Sequence, residues 1–245
     1  GANSGGAYVF RYSGSQWVEE AALQASDMAS LDEFGSAVAI DGNTIMVSAQ
    51  KDPIGSSGSG SVYVYRYTGT SWAEAQRFYP QAGEDLAYFG NSIALDGQYA
   101  IVGARETDDV ILGNGTAHVF RYNGSQWVEH QRLHASDPDY FAYFGAGVSL
   151  SGGLAAVGAE GDQYGTGAVY LYALEGDQWV EQCKVVGDDP LPWDRLGAAV
   201  SLSGTSLWAG AWGSNERGLS NAGSAYVIDL GPPASIIVTP TSGLT

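Results

Sequence analysis

An all-β fold built of small, repeated antiparallel sheets is what this sequence predicts, and three observations carry the prediction. The first is composition. Gly supplies 35 of the 245 residues, charged residues only 15% and aromatic residues 12%. Gly and β-branched residues are poor helix formers, and a disordered acidic chain would lack the Tyr, Trp and Val present here. The second is a rhythm. Trp17, Trp72, Trp127 and Trp179 are spaced by 55, 55 and 52 residues, and Phe34-Gly35, Phe89-Gly90, Phe144-Gly145 and Leu196-Gly197 keep the same intervals. Tyr8, Tyr63, His118, Tyr170 and Tyr226 follow at 55, 55, 52 and 56. A fixed period of this length marks a chain of stacked units. The third is period-two alternation inside each unit.

The unit from Phe34 to Phe78 shows the elements in order. Ser36–Ile40 is apolar and β-prone (strand A), and Asp41-Gly42-Asn43 is a tight turn, because Gly and Asn tolerate positive φ. Thr44–Ala49 is strand B. Lys51–Gly60 is a polar loop rich in Gly and Ser. Ser61–Tyr67 is strand C, with Val62, Val64 and Arg66 on one face and Tyr63, Tyr65 and Tyr67 on the other. Thr68-Gly69-Thr70 turns the chain into strand D, Trp72–Phe78. The loop Tyr79–Tyr88 leads to the next Phe-Gly.

Four antiparallel strands per unit describe a β-propeller blade. A lone blade cannot bury both faces, so the recurrent tryptophans are expected in the seams between blades. Arg11, Arg66 and Arg121 repeat with the scaffold and are read as structural; Ala173 replaces them in the fourth copy. The chain opens on a C strand (Ala7–Tyr12) and closes on one (Ser224–Asp229), which makes about four and a half units. Such an arc is either part of a larger ring or completed by another chain, since open strand edges invite pairing. Residues 1–231 are read as the propeller segment. Gly231-Pro232-Pro233 breaks it, and 232–245 is a linker or the start of a following β module.

These residues resemble the FG-GAP repeat of integrin α-subunit propellers and their bacterial surface-protein relatives. The Phe-Gly halves are those above. The Gly-Ala halves are Gly103-Ala104, Gly158-Ala159 and Gly210-Ala211, with Ser48-Ala49 in the first unit. The proline that often follows Gly-Ala is absent from every copy. The resemblance implies extracellular adhesion and calcium binding. Its calcium loop, D-x-D-x-D-G between strands A and B, is here replaced by short turns such as Asp41-Gly42-Asn43, so its ligands cannot be carried over.

The formal net charge is -17, from 10 Lys and Arg against 27 Asp and Glu. That balance argues against a nucleic-acid partner, which needs a basic surface. No apolar run reaches the ~18–20 residues of a membrane span. Up-and-down blades put the B–C loops and the D-to-A loops on one side of the disc, and 17 of the 27 acids fall in those loops. A concentrated negative field attracts cations and basic partners, and carboxylate oxygens suit Ca²⁺. Asp27 with Asp32, or Asp137 with Asp139, are the calcium ligands this reading offers; the alternative is plain solubility.

Residues outside the repeat are the better recognition candidates. Asp108 and Asp109 precede an apolar triplet, Val110-Ile111-Leu112, and Tyr164, Trp193 and Trp212 belong to the same side. Exposed aromatic rings stack on sugars or anchor protein partners; the alternative is that they cap the seams. No motif for an enzyme is present: H-E-x-x-H, G-x-S-x-G, the P-loop and the dinucleotide fingerprint are all missing. His118 fills a Tyr slot and is expected to pack. Glu74, Glu129 and Glu181 follow the tryptophans in register and are expected to face solvent. The single Cys183 allows no intrachain disulfide. The expected role is a non-enzymatic module of a secreted or cell-surface protein, bacterial in type, that binds a protein, a glycan or a cation-bridged ligand through its acidic loop side. The alternatives are a structural subunit that self-associates through open strand edges and, last, a polysaccharide-active enzyme.

Overall fold

The computed structural model describes residues 4–53, 59–79, 88–108, 110–215, 219–231 and, as backbone only, 239–240. The chain begins with a two-stranded sheet, β1 (Ala7–Tyr12) and β2 (Trp17–Leu23). Four four-stranded antiparallel meanders follow. The first is β3 (Phe34–Asp41), β4 (Thr44–Ala49), β5 (Ser61–Tyr67) and β6 (Trp72–Phe78). The second is β7 (Phe89–Asp96), β8 (Tyr99–Ala104), β9 (Thr116–Tyr122) and β10 (Trp127–Leu133). The third is β11 (Phe144–Ser151), β12 (Leu154–Ala159), β13 (Ala168–Glu175) and β14 (Gln178–Val185). The last is β15 (Leu196–Ser203), β16 (Ser206–Ala211), β17 (Ser224–Asp229) and the short β18 (Thr239–Pro240). β18 lies in the stretch expected to lead away from the propeller; its two residues pair with β17. The only helical stretch among the described residues is one turn, α1 (Asp162–Gly165), with Gln163 and Tyr164 in left-handed conformation.

The leading strands stack in order, β3 on β7, β7 on β11 and β11 on β15. Alternation decides what fills each seam. Met46, Val62 and Val64 leave the β3–β6 sheet forwards and meet Phe89, Ile93, Ala100, Val102 and Phe120 of the next. Tyr63 and Tyr65 point backwards and meet Val9 and Leu23 around Phe34. The same arrangement places Ile101, Ala117 and Val119 against Phe144, Val157 and Tyr170, and Ala156, Val169 and Leu171 against Leu196, Leu207 and Ile228. Burial of these side chains is the main favourable term, at about 1.5–3 kcal/mol for each large one.

The two halves of the sequence motif are partners in space. Phe34, Phe89, Phe144 and Leu196 pair with Ala49, Ala104, Ala159 and Ala211, each alanine at most 1% exposed. Each first strand then shifts register, so a bulge follows every Phe-Gly. The N–H of Phe34, Phe89, Phe144 and Leu196 donates to the carbonyl of Ser4, Ser59, Asn114 and Thr166 in the preceding sheet. The glycine after each acceptor backs onto the incoming strand: a Cβ on Gly60 or Gly115 would lie 2.2 Å from the Phe89 or Phe144 carbonyl oxygen. No residue but glycine fits there.

Two expectations are corrected. Trp127 and Trp179 are buried, each 4% exposed, against the preceding sheet, but Trp17 is 69% exposed, with no other sheet of the described residues packed on its face. Glu74, Glu129 and Glu181 do not simply face solvent. Glu74 accepts from the Ser26 N–H and hydroxyl, and Glu181 from those of Ser136, so each clasps the turn that leaves the preceding sheet.

Candidate functional site

The B–C and D-to-A loops do lie together. Lys51 N–H donates to the Asp32 carbonyl, Gly161 N–H to Ala142 and Gly213 N–H to Asp194, so in the first, third and fourth meanders the B–C loop is tied to the turn before its own Phe-Gly or Leu-Gly. That turn holds two residues in left-handed conformation: Leu31 and Glu33, Phe141 and Tyr143, Trp193 and Arg195. The first of each pair is thrown outwards, Leu31, Phe141 and Trp193 being 59%, 48% and 62% exposed. Buried carboxylates hold the turn from beneath, Asp32 Oδ2 accepting the Ala29 N–H at 2.6 Å and Asp194 Oδ2 the Leu191 N–H at 2.7 Å.

Between the third and fourth meanders this geometry makes a cleft of about 410 Å³ lined by Asp139, Tyr140, Phe141, Tyr143, Tyr164, Trp193 and Arg195. Tyr140 and Tyr164 stand well out, at 64% and 86% exposure. Tyr164 is presented by the left-handed turn of α1, and Gly165 behind it leaves room for the Trp193 ring. The Arg195 guanidinium lies 5.2 Å from the Trp193 ring centre and 5.9 Å from that of Trp212. Trp212 is exposed and its Nε1 donates to Glu160 at 3.3 Å. Asp139 Oδ1 accepts the Tyr140 N–H at 2.8 Å.

Of the residues expected to bind ligand, the structure brings together Tyr164 and Trp193, with Trp212 alongside. Asp108 is not in the cleft; its Oδ1 accepts the Gly113 N–H at 2.6 Å and closes its own loop. Asp109 lies outside the described residues. Sequence reading missed Tyr140, Phe141, Tyr143 and Arg195. The run Tyr140-Phe141-Ala142-Tyr143 departs from Ser30-Leu31-Asp32-Glu33 at the same place in the rhythm, and that was the available signal.

Of the four acids expected to hold calcium, Asp27 and Asp137 are each paired with a base, and Asp32 and Asp139 accept backbone N–H groups. Arg77 forms ion pairs with both Asp27 and Asp52, and the Tyr63 hydroxyl, with one proton to donate, lies within hydrogen-bond reach of Asp27 at 2.7 Å and Asp52 at 2.9 Å. Two units later Lys184 lies 2.8 Å from both Asp137 and Asp162, and the Tyr170 hydroxyl donates to Asp137 at 2.7 Å. Burial alone would raise the Asp137 carboxyl, but Lys184 and Tyr170 outweigh it and hold it below the usual range. Burial pushes the Tyr63 and Tyr170 hydroxyls up, so both remain donors. In the unit between, Thr107, Thr116 and His118 stand where Asp52, Ser61 and Tyr63 stand, and His118 Nδ1 lies 3.0 Å from Glu129. Among the described residues no three His, Cys, Asp or Glu side chains gather as a metal site. No helix there is long and apolar enough to cross a membrane.

Comparison with known sequences agrees with the geometry. The FG-GAP repeat profile matches four times, at residues 17–65, 72–120, 127–172 and 179–228. The chain belongs to the FG-GAP repeat family. Each matched stretch runs D–A–B–C, so the sequence repeat straddles two blades, and the Phe-Gly contact between sheets lies inside it. No curated protein matches the chain. Among solved structures, a candidate 6-phosphogluconolactonase from Bacteroides uniformis is similar, with a TM-score of 0.61 at 12% identity over 96% of this chain. This chain spans 62% of the length of that one. At such low identity the likeness shows the propeller architecture alone.

Proposed function

We propose that this FG-GAP segment is a non-enzymatic extracellular binding module that takes a neutral glycan in the cleft between its third and fourth meanders. One observation carries the reading: Tyr140, Tyr164 and Trp193 present exposed rings around a single cleft that also holds a carboxylate, Asp139, and a guanidinium, Arg195. Aromatic faces stack on the C–H faces of sugar rings, while Asp139 and Arg195 offer an acceptor and a set of fixed donors to hydroxyl groups. The net charge of -17 repels polyanions, which favours neutral over acidic sugars. FG-GAP repeats are typical of extracellular proteins, which supports the location.

Affinity electrophoresis against neutral and acidic polysaccharides, backed by a glycan array, tests this. Retardation by a neutral polysaccharide is expected. Trp193→Ala and Tyr164→Ala should each weaken it by about tenfold with an unchanged melting temperature, as loss of one stacking contact predicts. A blank array, or wild-type affinity in Trp193→Ala, would overturn the reading; release of reducing ends would replace it with an enzymatic one.

A further inference from the structure

Tyr140 and Tyr164 stand on two different loops, and both loops are anchored on one ammonium group. Asp137, three residues before Tyr140, and Asp162, two residues before Tyr164, each place a carboxylate oxygen 2.8 Å from Lys184 Nζ. Lys184 comes from β14 and lies beneath the loops, its side chain 17% exposed and that of Asp162 only 2%. Its ammonium sits 5.2 Å from the centre of the Tyr170 ring, whose hydroxyl donates to Asp137. Burial pushes the Asp162 carboxyl up, and Lys184 opposes the rise. Without that ammonium, a carboxylate at this depth is left uncompensated. It regains water only if the chain around it opens, and that chain is α1, which presents Tyr164. The third side of the cleft is coupled too, because the Arg195 N–H donates to the Gly165 carbonyl at 2.9 Å.

The other meanders put a base at the same place and use it differently. Arg77 pairs with Asp27 and Asp52, but the sequence of the loops that carry those acids holds no aromatic residue. Arg132 pairs with Glu129 of its own strand, and Thr107 stands where Asp162 stands. Only in the third meander does the bridging base lie under loops that carry exposed rings.

We infer that Lys184 is a positioning residue of the cleft: its ammonium clamps the Asp137 and Asp162 loops, so that Tyr140 and Tyr164 face Trp193 across one opening before a ligand arrives. Lys184 itself touches no ligand. The inference rests on the glycan reading for what the rings receive, and on the ion pairs alone for how they are held. Rings fixed in advance spare the ligand the entropy of ordering them. A cleft assembled only a tenth of the time would bind tenfold more weakly.

Hydrogen exchange on the whole chain, with no ligand added, is the first test. The bonded amides of Gly161, Gly165 and Gly167 should exchange at least tenfold faster in Lys184→Met. Lys184→Arg should restore the wild-type rate, and adding Asp162→Asn to Lys184→Met should recover most of it, since the lone charge is then gone. Arg77→Met breaks the equivalent pairs far from the cleft and should leave these three amides as they are. Lys184→Gln serves if Lys184→Met lowers the melting temperature more than Arg77→Met does. The second test is affinity electrophoresis in gels holding laminarin or mannan, both neutral. Where the wild type is retarded, Lys184→Met should bind about tenfold more weakly and Arg77→Met within twofold of wild type. Unchanged exchange in Lys184→Met, an equal rise in Arg77→Met, or undiminished retardation of Lys184→Met would each overturn the inference and leave the glycan reading standing. Expected exchange with no retardation of the wild type by any neutral polysaccharide would uphold the clamp and sink the glycan reading instead.

Discussion

Single residues here act mainly through the neighbouring sheet. Gly103 has an ordinary backbone conformation, yet a Cβ there would lie 2.0 Å from the Gly145 carbonyl oxygen. Gly103→Ala must therefore push two blades apart. It should cost about 2–3 kcal/mol and lower the melting temperature by roughly 5–10 °C, while Gly210→Ala leaves it in place; thermal denaturation followed by circular dichroism checks both. Glu129 acts electrostatically. The His118 imidazole and the Arg132 guanidinium, opposed by burial, hold its carboxyl down at about 2 against 4.5 in a free side chain. A depressed folded pKa contributes stability that is fully present above 4.5 and is lost as pH falls through 2. Glu129 is partly exposed, so solvent screening reduces that contribution to on the order of 1–2 kcal/mol. Urea titrations between pH 6 and 2.5 should show most of it being lost, and Glu129→Gln should remove that part of the acid dependence. The tryptophan rhythm gave no hint of this role, because His118 and Glu129 are 11 residues apart and meet only through the β9–β10 pairing.

At the level of elements, strand B is the best-protected part of each blade. All residues of β4 and β8 are buried, whereas β1 buries only Val9 and β2 only Leu23. In stacked arrays stability is a sum over sheets and their interfaces, and local opening follows contact density. Hydrogen exchange should therefore find amides of β8 and β12 protected about 100-fold more than those of β1 and β2. Equal protection would mean that the half-sheet is covered in solution. The strands themselves were legible: Thr44–Ala49, Ser61–Tyr67 and Trp72–Phe78 stand where alternation and turn residues put them. Strand A begins earlier than its apolar run, at Phe34, because its hydrogen bond to Ser4 belongs to the neighbouring sheet.

For the molecule as a whole, charge works against compaction. A net charge of -17 repels itself, and the Debye length falls from ~30 Å at 0.01 M to ~8 Å at 0.15 M salt. The melting temperature should therefore rise by about 2–5 °C between those conditions; a fall would mean that ion pairs such as those of Arg77 and Lys184 outweigh the repulsion.

The sequence by itself determined the all-β class, the unit length, the strand order, the family and the side of the disc that carries the acids. Each depends on local periodicity, which a single chain displays without folding. Only the tertiary structure decided that Arg77 and Lys184 pair with Asp27 and Asp137, that Asp108 is spent on its own turn, and that Tyr140 joins Tyr164 and Trp193 around one cleft. Those contacts span tens of residues and depend on how each sheet twists onto the next, which no spacing along the chain records.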